Sequence, residues 1–245
     1  MTSRVPARVI LTMKFCVIGI PELNAGIHNV KDPRLDQADK LVEAKKKVYV
    51  QVELAGEETL LEAEAIIAHP DRRPDLVLHD LEFVETRLGR EPSEIEKTAL
   101  KKVQATLEKE QFIHQTELTA EERQALVAYG FVTQKPVTVA TAEELVDLSG
   151  LLVRAFRESG YISFLTVGGK ENRAWMIKQG TTAVEAAGAI HTDLMKGFIR
   201  AEIIGFDDFI QAGGETQAKR AGKQRLETKE YVMQDCDLTN FRFSK

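Results

Sequence analysis

The stretch from residue 161 to residue 204 constrains the fold of this 245-residue chain more than any other part of it. Two apolar runs, Ile162–Val167 and Ala174–Ile177, lie on either side of a polar connection that contains Gly168 and Gly169. Short apolar runs joined by a glycine-containing connection are typical of two antiparallel strands. The sequence therefore predicts a β-hairpin here.

A helix and a third strand are predicted to follow this hairpin. Thr181 and Thr182 precede a short helical segment, Ala183–Ala187, and Gly188 is expected to end it. The run Phe198–Ile204 then alternates in the manner of a strand. Strand, strand, helix and strand in this order predict an α+β module of the β-grasp type, with the helix on one face of the sheet.

The first two thirds of the chain have the pattern of an α/β protein. Three apolar runs predict buried strands of a parallel sheet: Lys14–Ile20, Lys47–Leu54 and Lys135–Ala140. Asp32, followed by Pro33, predicts the start of a helix, because Asp is a good N-cap and Pro is favoured at the first helical position. Strands that alternate with helices favour a parallel sheet.

Five further helices are predicted between and after these strands, one of them capped at residues 118–122 and ending at residues 129–131. An amphipathic helix is expected over Glu57–Ala68, and a helix over residues 142–159 leads into the C-terminal module. A helical hairpin is predicted over residues 74–90 and 93–111, and ordinary packing of the two helices explains their apolar spacing. The alternative is that residues 76–110 form an interface with a second copy of the chain or with another protein.

Composition narrows the possible partners. The net charge is −5, divided into −6 for residues 1–160 and +1 for residues 161–245, so any RNA contact must use a local patch. The two cysteines, Cys16 and Cys236, form no CxxC motif, which argues against a metal site or a disulfide and favours a reducing cytoplasm. We expect no membrane partner and no DNA partner.

The first residues are predicted to lie outside the folded core. The apolar run Val9–Thr12 is too short for a signal sequence or a membrane span. Residues 1–12 are therefore interpreted as a tail, and Met13 is an alternative translation start.

The C-terminal third carries a specific resemblance. Its motifs include RAW, IHTD, KGFIRAE and FRF, and the match extends from Phe164 to Phe243. This segment resembles the C-terminal TGS-type domain of the YchF family of Obg-related NTPases. The resemblance implies a binding module and, as partners, the ribosome or structured RNA.

The resemblance also implies a phosphate-binding loop after the first strand. In the family this strand leads into GxPNVGKS, whereas this chain has GIPELNAG, from Gly19 to Gly26. Pro21 is kept, but Asn24 replaces a glycine, Ala25 replaces the lysine that reaches the phosphates, and Gly26 replaces the hydroxyl that holds magnesium. We expect this loop to bind no nucleotide.

Two other nucleotide-contacting elements of the family are also altered. The family has DIAG where this chain has Glu53 to Gly56, so a glutamate replaces the aspartate that supports magnesium. The base-recognising NxxE corresponds to Thr141 and Glu144, which keeps at most the glutamate. Without these motifs we expect the chain to bind no cofactor. The alternative is that it binds ATP or GTP with Mg.

Candidate RNA-contacting residues lie in the C-terminal module. His191 is interpreted either as a turn-ordering side chain that pairs with Asp193 or as an RNA contact. A basic patch for RNA phosphates is predicted from six cations: Lys196, Arg200, Lys219, Arg220, Lys223 and Arg225. The last four are expected on one short helical stretch. Cys236 replaces a glycine of the family's DGD, which predicts a changed turn.

These observations combine into one architecture. The predicted fold class is α/β: a reduced P-loop-NTPase-like parallel sheet over residues 13–160, with a helical insertion near residues 75–128, and a TGS-like β-grasp over residues 161–245. The predicted function is that of a non-catalytic, cytoplasmic YchF-like protein that binds the ribosome or RNA. The alternative is an NTPase with an altered nucleotide site.

Overall fold

A computed structural model describes residues 12–244, which divide into two compact units. Unit 1 comprises residues 12–28 and Gln51–Val139, and unit 2 comprises Asn29–Val50 and residues 140–244. The predicted tail lies outside the described residues, apart from Thr12. This division differs from the predicted boundary at residue 160, because two segments from the first 160 residues pack with the C-terminal sheet.

The secondary structure of the described residues consists of strands, helices and short 3-10 turns. The strands are β1 (Met13–Ile18), β2 (Gly26–Val30), β3 (Lys47–Val48), β4 (Val50–Ala55), β5 (Ala65–Ala68), β6 (Val137–Val139), β7 (Tyr161–Thr166), β8 (Asn172–Lys178), β9 (Phe198–Ile204), β10 (Arg225–Glu227) and β11 (Leu238–Phe243). The helices are α1 (Pro33–Leu41), α2 (Arg73–Leu88), α3 (Glu94–Leu107), α4 (Ala120–Leu126), α5 (Leu148–Glu158), α6 (Ala183–Ile190), α7 (Thr192–Lys196), α8 (Phe206–Ala212) and α9 (Glu215–Arg220).

The first sheet has the predicted α/β character. Its strand order is β2-β4-β1-β5-β6, and β1 pairs in parallel with both β4 and β5. Strand β5 pairs in parallel with β6. The carboxyl ends of β1 and β4 therefore lie at the same edge of the sheet, which is where an α/β protein places its ligand site.

The prediction of a helix over Glu57–Ala68 is wrong. Only a 3-10 turn, Glu57–Thr59, forms at its start, and Ala65–Ala68 is strand β5. All four residues of β5 are buried, between β1 and β6. A short apolar run fits a buried strand as well as a buried helix, and pairing on both sides decides for the strand.

The predicted single strand Lys47–Leu54 is also divided. Its first two residues form β3, which pairs with β8 of the second sheet, and the remainder forms β4 of the first sheet. Alternation alone gives no sign of the break at Tyr49, whose hydroxyl donates to Asp36. One apolar run thus contributes to two sheets.

The predicted helical hairpin forms in unit 1. Helix α3 begins after Ser93, whose Oγ accepts from the Glu96 N–H at 3.4 Å, and it ends at Leu107 rather than near residue 111. The partner helix α2 presents Asp80, which is buried and accepts from the N–H groups of Val132 and Thr133. The hairpin is thereby fixed to the segment that leads into β6.

The second sheet, in unit 2, has the order β10-β9-β11-β7-β8-β3. Strands β7 and β8 are the predicted hairpin, and β9 has the predicted bounds Phe198–Ile204. Helix α6 covers one face and packs on Phe164 and Ile203, but it continues through Gly188 to Ile190. The predicted stop at Gly188 is therefore wrong; the helix ends at His191, where the backbone becomes extended.

Candidate functional site

The loop after β1 does not lead into a helix. Gly19 has φ 71°, and a turn follows in which the Leu23 N–H donates to the Ile20 carbonyl at 3.1 Å. Ile20 and Leu23 are both buried, so apolar packing holds this turn. The chain then enters β2 at Gly26. A phosphate-binding loop normally ends at a helix N-terminus, whose free N–H groups bind the anion.

The remaining predicted loop residues carry no cationic side chain. Pro21, Asn24 and Ala25 are exposed, and the Asn24 carbonyl accepts a hydrogen bond from the His28 ring at 2.7 Å. Gly26 has φ 132° and begins β2. The loop is thus closed by a side chain of the same strand that follows it.

Arg72 lies against Gly19. A Cβ placed on Gly19 would be 2.8 Å from Arg72 Cγ and 3.1 Å from His69 Cβ, so only glycine fits there. The Arg72 guanidinium lies 3.1 Å from Glu57 Oε1 and 2.8 Å from Asp75 Oδ2. A cation and two carboxylates of this chain therefore meet beside the first glycine of the loop.

The carboxyl end of β4 lies at the same edge of the sheet as that of β1, and its residues also make local contacts. Glu53 pairs with Lys14 of the neighbouring strand at 3.3 Å. The Gly56 carbonyl accepts from the Thr59 hydroxyl at 2.8 Å, which closes the 3-10 turn. Cys16 is buried beneath that turn, and burial raises the pKa of its thiol to about 11. Glu53 thus serves an ion pair between two neighbouring strands.

Thr141 and Glu144 bind each other in unit 2. The Thr141 N–H donates to Glu144 Oε2 at 2.9 Å, and the Glu144 N–H donates to Thr141 Oγ1 at 3.3 Å. Arg154 holds the carboxylate through two further bonds of 2.7 and 2.6 Å, which keep the pKa of Glu144 below its usual range. This turn occupies residues 141–147, so the predicted helix starts only at Leu148.

Three of the six predicted RNA-contacting cations have acidic or phenolic partners. Lys219 pairs with Glu215 at 2.6 Å, and Lys223 pairs with Asp208 at 2.9 Å. Arg225 donates to the Tyr231 hydroxyl at 3.0 Å.

The four cations from Lys219 to Arg225 do not share one helix. Helix α9 ends at Arg220, Lys223 follows it, and Arg225 is in strand β10. Gly222 at φ 70° interrupts the stretch, since this left-handed conformation cannot continue a helix.

The other three predicted cations form no ion pair among residues 12–244. These are Lys196, Arg200 and Arg220, all exposed. His191 is the N-cap of α7, and its Nδ1 accepts from the Asp193 N–H at 3.1 Å, as the turn-ordering interpretation predicts. Its ring is thus used in local structure.

Arg242 is a further exposed cation that the sequence analysis missed. It lies in β11 directly opposite Arg200 of β9, and its guanidinium binds Glu202. The motif FRF contributes to the family resemblance, but the sequence alone does not indicate which residue lies opposite Arg242. The register of β9 with β11 shows that Arg242 lies opposite Arg200.

Cys236 keeps the backbone conformation of a glycine. Its φ is 62°, which lies in the left-handed region that favours glycine. The side chain is fully buried, and the Cys236 N–H donates to the Ser163 carbonyl at 2.7 Å. Those contacts hold a non-glycine residue in the left-handed region.

Two negative findings apply to the described part of the chain. No group of three or more His, Cys, Asp or Glu side chains there could hold a metal ion. No helix within residues 12–244 combines the length and apolar character needed to cross a membrane.

Comparison with known proteins links both units to one family. The family model YchF-GTPase_C, described as "Protein of unknown function (DUF933)", matches residues 161–244. The solved structure of the Schizosaccharomyces pombe YchF GTPase superposes with a TM-score of 0.67 at 20% identity, covering 94% of this chain and 97% of that one. At this identity the structural likeness shows the fold.

Curated relatives share substantial sequence. The ribosome-binding ATPase YchF of Haemophilus influenzae is 33% identical over 233 residues, covering 69% of this chain and 64% of the relative. The Bacillus subtilis protein of the same name is 41% identical over 128 residues, covering 52% of this chain and 32% of the relative. The Pasteurella multocida protein is 57% identical over 82 residues, covering 34% and 23%.

The chain thus spans less than two thirds of the length of these curated relatives. The strongest identity falls in the shortest match, which is a third of the chain. The sequence matches, the C-terminal family model and the fold agree, and the chain belongs to the YchF family, within which it is shorter than its full-length relatives.

Proposed function

We propose that this chain is a non-catalytic YchF-like binding protein that associates with the ribosome or its RNA through unit 2. The observation that carries the first half of the proposal is the path of the chain after β1. Gly19 leads through an apolar turn into β2, and the helix N-terminus that would receive a phosphate is replaced by a strand.

Charge at the same edge supports the loss of nucleotide binding. Glu57 and Asp75 both lie beside Arg72, which packs on Gly19. A polyphosphate would have to displace Arg72 from both carboxylates and then remain close to them. Ala25 offers no cation in compensation, and Gly26 offers no hydroxyl for magnesium.

The second half of the proposal rests on unit 2. The relatives are named ribosome-binding, and the C-terminal family model covers residues 161–244, most of unit 2. Unit 2 also has exposed cations, Lys196, Arg200 and Arg220, that form no ion pair among the described residues. Such cations supply the salt-dependent contacts to phosphates that dominate nucleic-acid affinity.

The alternative is an ATPase or GTPase with an altered site. The name of the relatives, ribosome-binding ATPase, favours it, as does the persistence of β1, β4 and β6 in a parallel sheet. Its cofactor would be ATP or GTP with Mg. It requires the Arg72 contacts to open and the turn at Ile20–Leu23 to rearrange.

Two measurements test the proposal on the full chain. Calorimetric titration with ATP and with GTP, each with magnesium, should give no saturable heat at millimolar nucleotide, whereas micromolar binding of either would establish the alternative. Co-sedimentation with 70S ribosomes should be saturable and weaken with salt. A chain that stays in the supernatant at low salt would refute the ribosomal half.

A further inference from the structure

The second sheet narrows to two strands at one end. Strand β10 pairs with β9 only over residues 201–203, and β7 pairs with β11 only at Leu238. The pairing of β9 with β11 continues to Phe198 opposite Phe243. Residues 198–200 and 240–243 therefore form a two-stranded end with no flanking strand among the described residues; we call it the β9–β11 ribbon.

Two arginines face each other on this ribbon. Arg200 and Arg242 are directly opposite in the register, so their side chains lie on the same face. The adjacent pair on that face, Asn240 and Glu202, is joined by a 2.7 Å hydrogen bond. Like charges in opposed positions are unfavourable unless an anion compensates them.

One buried carboxylate binds one member of the pair. Glu202 is 7% exposed and binds Arg242 through its Oε1, with Nε at 2.8 Å. Arg200 donates to the Ile199 carbonyl at 3.1 Å and has no ion pair of 4.0 Å or less in the described chain. Of the two opposed arginines, only Arg242 binds a carboxylate in the described chain.

Glu230 is an acidic group near enough to Arg200 for the two charges to interact. A hydrogen bond from Thr228 first, and then the charges of Lys229 and Arg200, hold the pKa of Glu230 below its usual range. Glu230 nevertheless pairs with Lys229, at 3.8 Å, rather than with Arg200. The Arg200 guanidinium therefore remains available to an external anion.

Apolar surface adjoins these charges. Phe243 is 40% exposed and Ile199 is 49% exposed, at the end of the ribbon. Phe243 also lines an open concavity with Lys196, Gly197 and Ser244, and the carboxylate of Asp193 lies in the same lining. Ile199 and Phe243 adjoin Arg200 and Arg242 in their strands and so alternate with them, with a register shift between Arg242 and Phe243. The end of the ribbon therefore offers charged forks that fit phosphate on one face and, next to them, an exposed ring on which a base can stack.

We propose that the β9–β11 ribbon is the surface that contacts the phosphate backbone of RNA, with Arg200 and Arg242 on the phosphates and Phe243 beside an unstacked base. This inference rests on the proposed function and specifies its contact surface. It excludes Lys219 and Lys223 from the RNA-contacting surface, because their charges are already paired with Glu215 and Asp208.

The test compares two double variants of the full chain. In the ribbon variant, Arg200→Gln with Arg242→Gln, glutamine can still donate to Glu202. In the matched control, Lys219→Gln with Lys223→Gln, the same net charge is removed from paired sites. Binding is measured by fluorescence anisotropy with a labelled 20-nucleotide uridine-rich RNA and by co-sedimentation with 70S ribosomes, and circular dichroism checks folding.

We expect the ribbon variant to bind the RNA about tenfold more weakly and to lose about 0.7 per phosphate contact from the salt slope. The control should stay within about twofold of the wild type, since its cations are paired. A third variant, Glu202→Gln, removes the compensating anion but can still bond to Asn240, and should bind severalfold more tightly.

The outcomes separate this inference from the proposed function. If the control loses RNA binding and the ribbon variant keeps it, the ribbon is the wrong surface while the proposed function stands. If the wild type binds ribosomes but no RNA, and the ribbon variant sediments normally, the partner is protein and the inference is refuted. If the wild type binds neither, both are refuted.

Discussion

Arg34 Nη2 lies 2.7 Å from Asp235 Oδ2, although 201 positions separate the two residues in the chain. Arg34 also binds Asp32, and Arg157 at the end of α5 binds Asp32 at 2.9 Å. Burial alone would raise the pKa of Asp32, but the hydrogen bonds and charge of Arg34, with the charge of Arg157, hold it below its usual range. Three distant segments of unit 2 are thus joined by one ionic network.

The first prediction concerns this network. Arg34→Ala should lower the free energy of unfolding by about 2–4 kcal/mol, because it removes the cation that bridges Asp32 and Asp235 and leaves only Arg157 beside these partly buried carboxylates. Equilibrium urea unfolding, followed by the fluorescence of Trp175 in unit 2, measures the effect. Lys40→Ala on the same helix is the control and should change stability by less than about 0.5 kcal/mol.

A loss in Arg34→Ala no larger than that of Lys40→Ala would contradict the prediction. In that case the network contributes nothing beyond its exposed ion pairs, which are worth little individually.

The second prediction concerns the boundaries of the C-terminal module. Buried Asn172 donates from its Nδ2 to Asp39 Oδ1 at 2.7 Å and to the Val42 carbonyl at 2.5 Å, so residues 29–50 complete one side of the sheet. A fragment of residues 161–245 would lack these contacts. We expect a fragment of residues 140–245 to gain stability when a peptide of residues 29–50 is added.

The shift in melting temperature with peptide concentration measures that gain, since a ligand of the folded state stabilises by mass action. A peptide in which Arg34 and Asp39 are replaced by alanine is the control. Equal shifts with both peptides, or none with either, would show that the fragment does not use the 29–50 contacts.

How far the fold follows from the sequence depends on the kind of signal. Strand β9 was placed to the residue, and α1 has the predicted Asp32 cap with Pro33 as its first residue, because alternation and capping are local properties. Strand β5 was mistaken for a helix because four apolar residues fit either structure until β1 and β6 enclose them.

The candidate sites show the same limit. The sequence located the altered loop at Gly19–Gly26, because residue types at fixed spacing carry the phosphate chemistry. It could not reveal Arg72 beside Gly19, which comes from a contact 53 positions along the chain. Pairing of Lys223 with Asp208 and the opposition of Arg200 to Arg242 also depend on tertiary structure and strand register.

The third prediction separates lost residues from lost architecture at the loop. Restoring the family's lysine and hydroxyl by Ala25→Lys with Gly26→Ser should not restore nucleotide binding. The chain at these positions enters β2, so no helix N-terminus receives the phosphates. Calorimetry with ATP and GTP should remain without saturable heat at millimolar concentration.

Adding Arg72→Ala to that double variant is the informative comparison, because it also clears the side chain that packs on Gly19. Micromolar binding by the triple variant alone would show that Arg72 blocks a competent loop. Micromolar binding by the double variant would falsify the third prediction outright.

The fourth prediction concerns acid pH. The two Arg154 hydrogen bonds hold the pKa of Glu144 below its usual value of 4.5, so the pair stabilises unit 2 above that value and its contribution is lost as pH falls through the lower folded pKa. The difference in unfolding free energy between wild type and Arg154→Met should therefore be constant above about pH 5.5 and shrink towards pH 3.

Urea titrations at pH 7, 5, 4 and 3 give that difference directly. Arg123→Met on the exposed surface of α4 is the control and should show no such trend, because Arg123 forms no ion pair in the described residues. A wild-type advantage that grows on acidification would have the wrong sign for a depressed carboxyl pKa.

The last prediction uses the two cysteines as reporters of the two units. Cys16 in unit 1 and Cys236 in unit 2 are both fully buried, and burial raises the pKa of their thiols to about 11 and about 12. Since the thiolate is the reactive form, neither should react with Ellman's reagent at pH 8 in the native protein, and both should react in urea.

Cys16→Ala leaves only Cys236 to report the opening of unit 2, and Cys236→Ala leaves only Cys16 to report that of unit 1. Labelling rates at low urea then give the opening free energy of each unit. Arg34→Ala should accelerate labelling of Cys236, since its network lies in unit 2, and leave the rate at Cys16 unchanged. Native labelling of either cysteine at the rate of a free thiol would contradict its burial, and equal acceleration at both sites would show that the two units open together.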